Sequence, residues 1–181
     1  MPDTVSDAFY ILNADSPSAL ILTVDHASRH IPAEYDNLGL TDPTVLARHI
    51  AWDIGIEDVS KRLSEKLEAS AIFARFSRLL VDANRYTDDP ASMPEVSDGI
   101  EIPANRNVST AERQKRLDQW FWPYQTALDR LIEKKAAAHD HPILISMHSF
   151  TPVMNEFERP WHIGVLWDQD ARIAAPLLDI L

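Results

Sequence analysis

Two hydrophobic rhythms alternate along this chain, and each change of rhythm marks an element. Residues 19–24, Ala-Leu-Ile-Leu-Thr-Val, form a short continuous apolar run with β-branched members, the signature of a strand buried on both faces. Polar residues follow from Asp25 to His30, and Ile31-Pro32 ends any regular element. Residues 43–67 change to helical spacing, with Leu46, Ile50 and Ile54 drifting onto Val59, Leu63 and Leu67. Pro43 suits the first turn of that helix, with Thr41 or Asp42 as its cap. Alternation returns at 71–75 and 78–82, predicting two short strands or one bent strand. Ser109-Thr-Ala-Glu112 is a capping box that opens a helix reaching about His139, broken or kinked at Pro123. Residues 142–147 and 162–167 predict a third and a fourth strand, and 170–181 a last helix capped by Asp168 or Asp170.

Strands alternating with helices predict an α/β fold of three layers, a mostly parallel or mixed central sheet flanked by helices. Between Tyr86 and Val108 the pattern lapses. That stretch holds Asp88, Asp89, Glu95 and Asp98, three prolines and no cation before Arg106. A connection so long is usually functional or disordered, and a mobile lid over a site is the expectation.

Composition then excludes several function classes. With 181 residues the chain suits one α/β domain, and with no cysteine it has no disulfide framework, thiolate metal site or cysteine nucleophile. Four scattered glycines cannot supply a dinucleotide fingerprint or a phosphate loop. A formal charge of −11 argues against nucleic acid, and no apolar run approaches the ~18 residues of a membrane span. Residues 1–10 lack a basic region followed by an apolar one, so a cytoplasmic location is expected.

The chemistry-bearing residues fall at the carboxyl ends of predicted strands. His26 follows the first strand, Asn84-Arg85 follow the strand ending at Asp82, and His148-Ser149 follow the one ending at Met147. Such ends are where ligands bind in open α/β sheets. In the predicted helix, the i,i+4 spacing of His49 and Asp53 places both on one face. Two imidazoles and a carboxylate, with a fourth position left for water, are the ligand set of a catalytic zinc. Taken singly, His26 reads more readily as a surface or hydrogen-bonded core histidine than as a ligand, His49 as a surface residue, and Asp53 equally as a partner of Arg48 or a loop cap. Arg85 beside Asn84 can hold a carboxylate in two parallel hydrogen bonds, or make a structural ion pair with Asp82 or Asp89. Arg75, Arg78 and Arg85, close together in an acidic chain, suggest an anionic small molecule. Ser149 stands beside His148 without the glycine elbow of a serine hydrolase, and the tryptophans read as packing.

Four ordered segments carry a family resemblance: Asp25-His-Ala-Ser-Arg-His-Ile-Pro32, His49-Ile-Ala-Trp-Asp-Ile-Gly55, Ser77-Arg-Leu-Leu-Val-Asp-Ala-Asn-Arg85 and Met147-His-Ser-Phe-Thr-Pro152. Glu112-Arg113, Pro123-Tyr124 and Arg159-Pro-Trp-His-Ile-Gly164 extend it from about residue 18 to the end. In these the chain resembles the N-formylglutamate amidohydrolase family. The resemblance implies a zinc carboxypeptidase-like, phosphorylase/hydrolase-like α/β fold. It also implies metal-dependent hydrolysis of the N-acyl amide of a small carboxylate-bearing amino acid. Carried over by position, it makes His26, Asp53 and His148 the zinc ligands. Asn84, Arg85 and Ser28 then bind substrate, while Arg78, Arg85 and Ser149 serve the reaction. Arg29 stands where more distant relatives carry the Glu of a His-x-x-Glu pair, and Gln125 stands where many members have His. The family continues through a further strand-rich segment with a Glu-x-Arg. The chain is therefore expected to be C-terminally incomplete, with its general base beyond Leu181. A relative that binds metal or anion without turnover is the alternative.

Overall fold

The structure, a computed structural model, describes residues 2–154 and 156–181. The strands are β1 (Thr4–Val5), β2 (Phe9–Leu12), β3 (Leu20–Val24), β4 (Ser70–Ala74), β5 (Val96–Ser97), β6 (Ile100–Glu101), β7 (Ile143–Ser146), β8 (Val153–Met154) and β9 (Phe157–Glu158). The helices are α1 (Ile56–Lys66), α2 (Thr110–Arg116), α3 (Trp122–Ala138) and α4 (Ala174–Leu178). The chain divides into one unit up to Phe150 and another from Thr151 to Leu181.

The first unit is built on a five-stranded mixed sheet of order β1-β2-β4-β3-β7. β3 lies parallel to β4 on one side, with Val24 opposite Phe73, and parallel to β7 on the other, with Thr23 opposite Ser146. β1 and β2 add an antiparallel edge. Successive strand residues point to opposite faces, and the core divides accordingly. Ile21, Ile72 and Ala74 join Tyr124 and Leu131 of α3 in one cluster, while Leu22, Val24, Ala71 and Phe73 join Ile56 and Leu63 of α1 in another. Helices therefore cover both faces of the sheet, giving three layers.

Several expected elements differ. The helix predicted over 43–67 is interrupted: a 3₁₀ turn at Val45–Ala47 ends in extended backbone at Arg48, and α1 starts only after Gly55. Gly55 has φ +79°, a left-handed conformation that no helix passes through. The Ala51 carbonyl accepts from Ser77 Oγ (2.8 Å), and the Asp53 amide donates to the His26 carbonyl (2.9 Å), so tertiary bonds replace the helical ladder. His49 and Asp53 consequently do not share a helix face.

Residues 78–82 form no strand. They turn on Ser77, whose carbonyl accepts from the Leu80 amide, and they bury Leu79, Leu80 and Val81 completely. Asn105 Nδ2 donates to the Leu79 carbonyl (2.8 Å) and Arg116 Nη1 to that of Leu80 (3.3 Å), standing in for a partner strand. The apolar run there recorded burial, not pairing. β7 is an edge strand with Leu144 exposed, and 162–167 finds no pairing partner among the described residues.

The long acidic connection is no lid, because its middle belongs to the core. Met93, Ile102 and Asn105 are buried, and β5 and β6 form a small hairpin. Arg116, 2% exposed, pins it: the guanidinium bonds Asn105 Oδ1 (2.7 Å), Glu112 Oε1 (2.8 Å) and the Leu80 and Ala104 carbonyls. Arg116→Ala strands these acceptors, and we expect a loss of about 3 kcal/mol in unfolding free energy. A urea titration reads it as a lowered midpoint at unchanged slope. Ser109 caps α2 as predicted, its Oγ accepting from the Glu112 amide (3.1 Å). A π-helical turn at Leu117–Phe121 then leads into α3, with Pro123 in its first turn, where its missing N–H does no harm.

The second unit holds the β8–β9 hairpin and a last helix shortened to α4. Asp170 caps the turn before it, accepting from the Arg172 amide (3.1 Å).

Candidate metal centre

The sheet order creates the site. From β3 the chain moves one way through α1 to β4 and later the other way through α3 to β7. Outside the carboxyl ends of such diverging parallel strands lies a crevice. His26 stands two residues beyond β3 and His148 two beyond β7, and their rings lie 5.0 Å apart. The broken helix before α1 delivers Asp53 between them.

Ligand atoms of His26, Asp53 and His148 all lie within 4.8 Å of one another, as a metal site requires. His26 is 3% exposed, and its Nε2 contacts Asp82 Oδ1 at 2.7 Å. Its Nδ1 is buried without a hydrogen-bond partner, facing Asp53 Oδ1 at 3.6 Å, too far for a hydrogen bond. Asp53 Oδ2 accepts from the Ser149 amide (3.1 Å) and meets His148 Nδ1 at 3.0 Å. Arg78 Nη2 donates to Asp82 Oδ2 (2.8 Å), and its Nη1 stands 3.7 Å from Asp53 Oδ1.

Charge at the centre is tightly coupled. Burial alone would raise the Asp53 and Asp82 carboxyls, but the histidines hold both below the usual range, with Arg78 and the Asn84 amide assisting at Asp82. Burial would lower His26, yet the Asp53 and Asp82 carboxylates push it up to about 8. Such a pocket takes up positive charge, as protons on imidazole or as a cation that displaces them.

Asn84 and Arg85 are exposed in the turn that follows Asp82. Asn84 Nδ2 lies 3.2 Å from His148 Nε2. Arg85 makes no hydrogen bond or ion pair with the described residues. Asp82 is engaged by His26 and Arg78, and Asp89 by the Ala91 amide (2.7 Å), so neither structural pairing of Arg85 forms. The Ser149 hydroxyl donates to the Ile54 carbonyl (3.0 Å), which leaves its amide on Asp53. Ser28 Oγ accepts from the His30 amide and lines a cavity of about 340 Å³ with Tyr10, Glu57 and Arg75; none of the three clustered residues lines it. His49 stays outside the cluster, 3.3 Å from Asp98, which also pairs with Arg48.

The sequence profile of the N-formylglutamate amidohydrolase family matches residues 18–181. The chain belongs to that family. It is thus a hydrolase of amide bonds by class, acting on a small substrate. Among solved structures, a gene product of Agrobacterium tumefaciens is similar with a TM-score of 0.92 at 37% identity, over 96% of this chain and 69% of that one. The N-formylglutamate amidohydrolase of Ralstonia eutropha gives 0.60 at 19% identity, over 80% of this chain and 58% of that one, a likeness of fold. A search of curated proteins found no match. Among the described residues no helix is long and apolar enough to cross a membrane.

In this member of the N-formylglutamate amidohydrolase family, several polar residues at the centre were not announced by the sequence reasoning. Asp82 is one; the sequence shows it as the carboxylate that ends an apolar run and as an alternative partner of Arg85, not as a support for His26. Asp25, Tyr124 and Ser146 are others, joined beneath His148. Gln125 turns its amide to the Ala83 carbonyl (2.7 Å).

Proposed function

We propose that the protein is a zinc-dependent amidohydrolase that cleaves the N-acyl bond of a small carboxylate-bearing amino acid such as N-formylglutamate, in the cytoplasm and on a zinc carboxypeptidase-like fold. The observation that carries the metal is His26. Asp82 occupies one ring nitrogen, while the other is buried, unpartnered and aimed at Asp53 and His148. A carboxylate behind an imidazole is how proteins orient a metal-binding histidine. Two imidazole nitrogens and a carboxylate oxygen would suit zinc, and the partly exposed side chain of His148 would let water and substrate reach it. Zinc so held supplies a Lewis acid for the acyl carbonyl and a water that ionises near neutral pH.

The chain's own residues divide the remaining work. Arg85 and Asn84 grip the substrate carboxylate, which sets the scissile amide over the centre. Arg78, held on Asp82, presents positive charge where the acyl oxygen gains negative charge. The Ser149 amide fixes Asp53.

The deciding experiment measures metal content and formate release from N-formylglutamate in one preparation. Stoichiometric zinc with chelator-sensitive release supports the reading. Zinc without hydrolysis of any N-acyl amino acid makes the protein a metal-binding relative instead, and no metal at all refutes the centre. Asp82→Ala should weaken zinc about 10–100-fold in a chelator competition, because it releases the His26 ring.

A further inference from the structure

A second gathering of charged side chains surrounds the cavity of about 340 Å³ that Ser28 lines. The antiparallel edge of the sheet assembles it. β2 pairs with β4 so that Phe9 stands opposite Ala74, and the Arg75 amide donates to the Ala8 carbonyl (2.9 Å). The bend between β1 and β2 is thereby folded over the carboxyl end of β4, which brings Asp7 and Arg75 to one cavity wall. Glu57, in the first turn of α1, and Ser28, two residues past His26, extend that wall, and Tyr10 and Trp120 give it aromatic surface. The Tyr10 ring is fixed by stacking on Phe73 at 4.6 Å, and its hydroxyl donates to Glu57 Oε1 (2.7 Å).

The charges in this wall are only partly used. Arg75 Nη1 donates to the Ser6 carbonyl, and the rest of its guanidinium makes no hydrogen bond or ion pair with the described residues. The Asp7 carboxylate makes neither among the described residues. Glu57 meets both Tyr10 and Lys61 (2.8 Å) through Oε1, which leaves Oε2 without a hydrogen bond. A lone anion here would face two carboxylates, and a lone cation would face a guanidinium. A small molecule carrying one group of each sign satisfies both, and the cavity lies at the small end of ligand-pocket sizes. An α-amino acid has that pattern within a few bonds. Its carboxylate suits the planar fork of Arg75, its ammonium suits Asp7 and Glu57, and its side chain suits the aromatic surface.

We propose that this cavity is a second binding site, for a free α-amino acid, separate from the metal centre. The link to the reaction rests on the amidohydrolase reading above: hydrolysis of an N-acyl amino acid turns a neutral amide into an ammonium. An N-acylated compound would cover Asp7 and Glu57 without offering an opposite charge, so the site accepts the product and disfavours the substrate. Ala27 and Ser28, which directly follow His26, belong to the wall, and the product is therefore held one short segment from the centre.

Calorimetric titration of the whole chain with L-glutamate, and with glutarate as the same dicarboxylate lacking the amine, tests the site. Wild type should bind L-glutamate saturably and glutarate at least about tenfold more weakly. Asp7→Asn and Arg75→Met should each weaken L-glutamate about 10–100-fold through loss of a charge-assisted contact. Asp7 lies in an exposed bend, so its substitution tests the site even if Arg75→Met disturbs the contact with Ser6. Asp53→Asn and Arg85→Ala, which disable the centre and its carboxylate grip, should bind L-glutamate as wild type does. The proposal is overturned by no saturable binding in wild type, by unchanged affinity in Asp7→Asn, or by equal affinity for glutarate. Loss of binding in Asp53→Asn or Arg85→Ala also overturns it, by placing the amino acid in the centre. If wild type hydrolyses no N-acyl amino acid, the functional reading fails by itself. L-Glutamate binding that depends on Asp7 and Arg75 then keeps the site and removes only its link to a product.

Discussion

Asp53→Asn should leave a folded protein that holds no stoichiometric zinc and releases no measurable formate from N-formylglutamate. The substitution keeps the shape of the side chain and the backbone bond from the Asp53 amide to the His26 carbonyl, so the loop before α1 is retained. It removes the negative charge that sits within reach of both imidazoles and of Arg78. An amide is a poor ligand for zinc, and two imidazoles alone give an incomplete site. The consequence for hydrolysis is large because unassisted water ionises with a pKa of about 15.7, against about 7 on zinc, a gap of roughly nine powers of ten in ionised nucleophile at neutral pH. Metal analysis, formate release and a far-ultraviolet spectrum of the same sample check the result. Full zinc occupancy with a tenth of wild-type activity or more would exclude Asp53 from the centre.

How far the sequence could lead to this centre depended on the kind of contact involved. The strand at 19–24 and the capping box at Ser109 were readable because each rests on neighbouring residues alone. His26 and His148 could be placed together because the ends of parallel strands converge by topology, whatever the loops do. Asp53 was assigned by resemblance, but the helical spacing invoked beside it was mistaken. Gly55 in a left-handed conformation and the bond from Asp53 to His26 break that helix, and a helical wheel cannot foresee a bond across 27 positions. The run at 78–82 misled for a related reason. Its carbonyls are satisfied by the side chains of Asn105 and Arg116, so burial occurs without a partner strand. Asp82 and Asp25 were hidden most deeply. Nothing in local sequence says which ring a buried carboxylate faces, and Asp25 reaches past its own neighbour toward His148 through Ser146.

Substrate selection should fail most sharply at Arg85. The side chain is exposed, and the described residues leave its guanidinium uncommitted, next in sequence to Asn84, whose amide reaches His148. A guanidinium bound to a carboxylate makes two parallel charge-assisted hydrogen bonds, each worth about 1.5–3 kcal/mol when water is excluded. Arg85→Ala should therefore lower kcat/KM for N-formylglutamate about a thousandfold, the equivalent of roughly 4 kcal/mol, with zinc content unchanged. Arg85→Lys keeps the charge without the planar fork and should recover only part of the loss. The discriminating measurement is the same assay on a substrate whose carboxylate is replaced by a carboxamide. Wild type should disfavour that compound strongly, whereas Arg85→Ala should treat both substrates nearly alike, because the group that told them apart is gone. An equal fall on both substrates would assign Arg85 to the chemical step. No fall on either would move carboxylate recognition elsewhere, with Arg75 and Arg78 the remaining cations of the cluster singled out in the sequence.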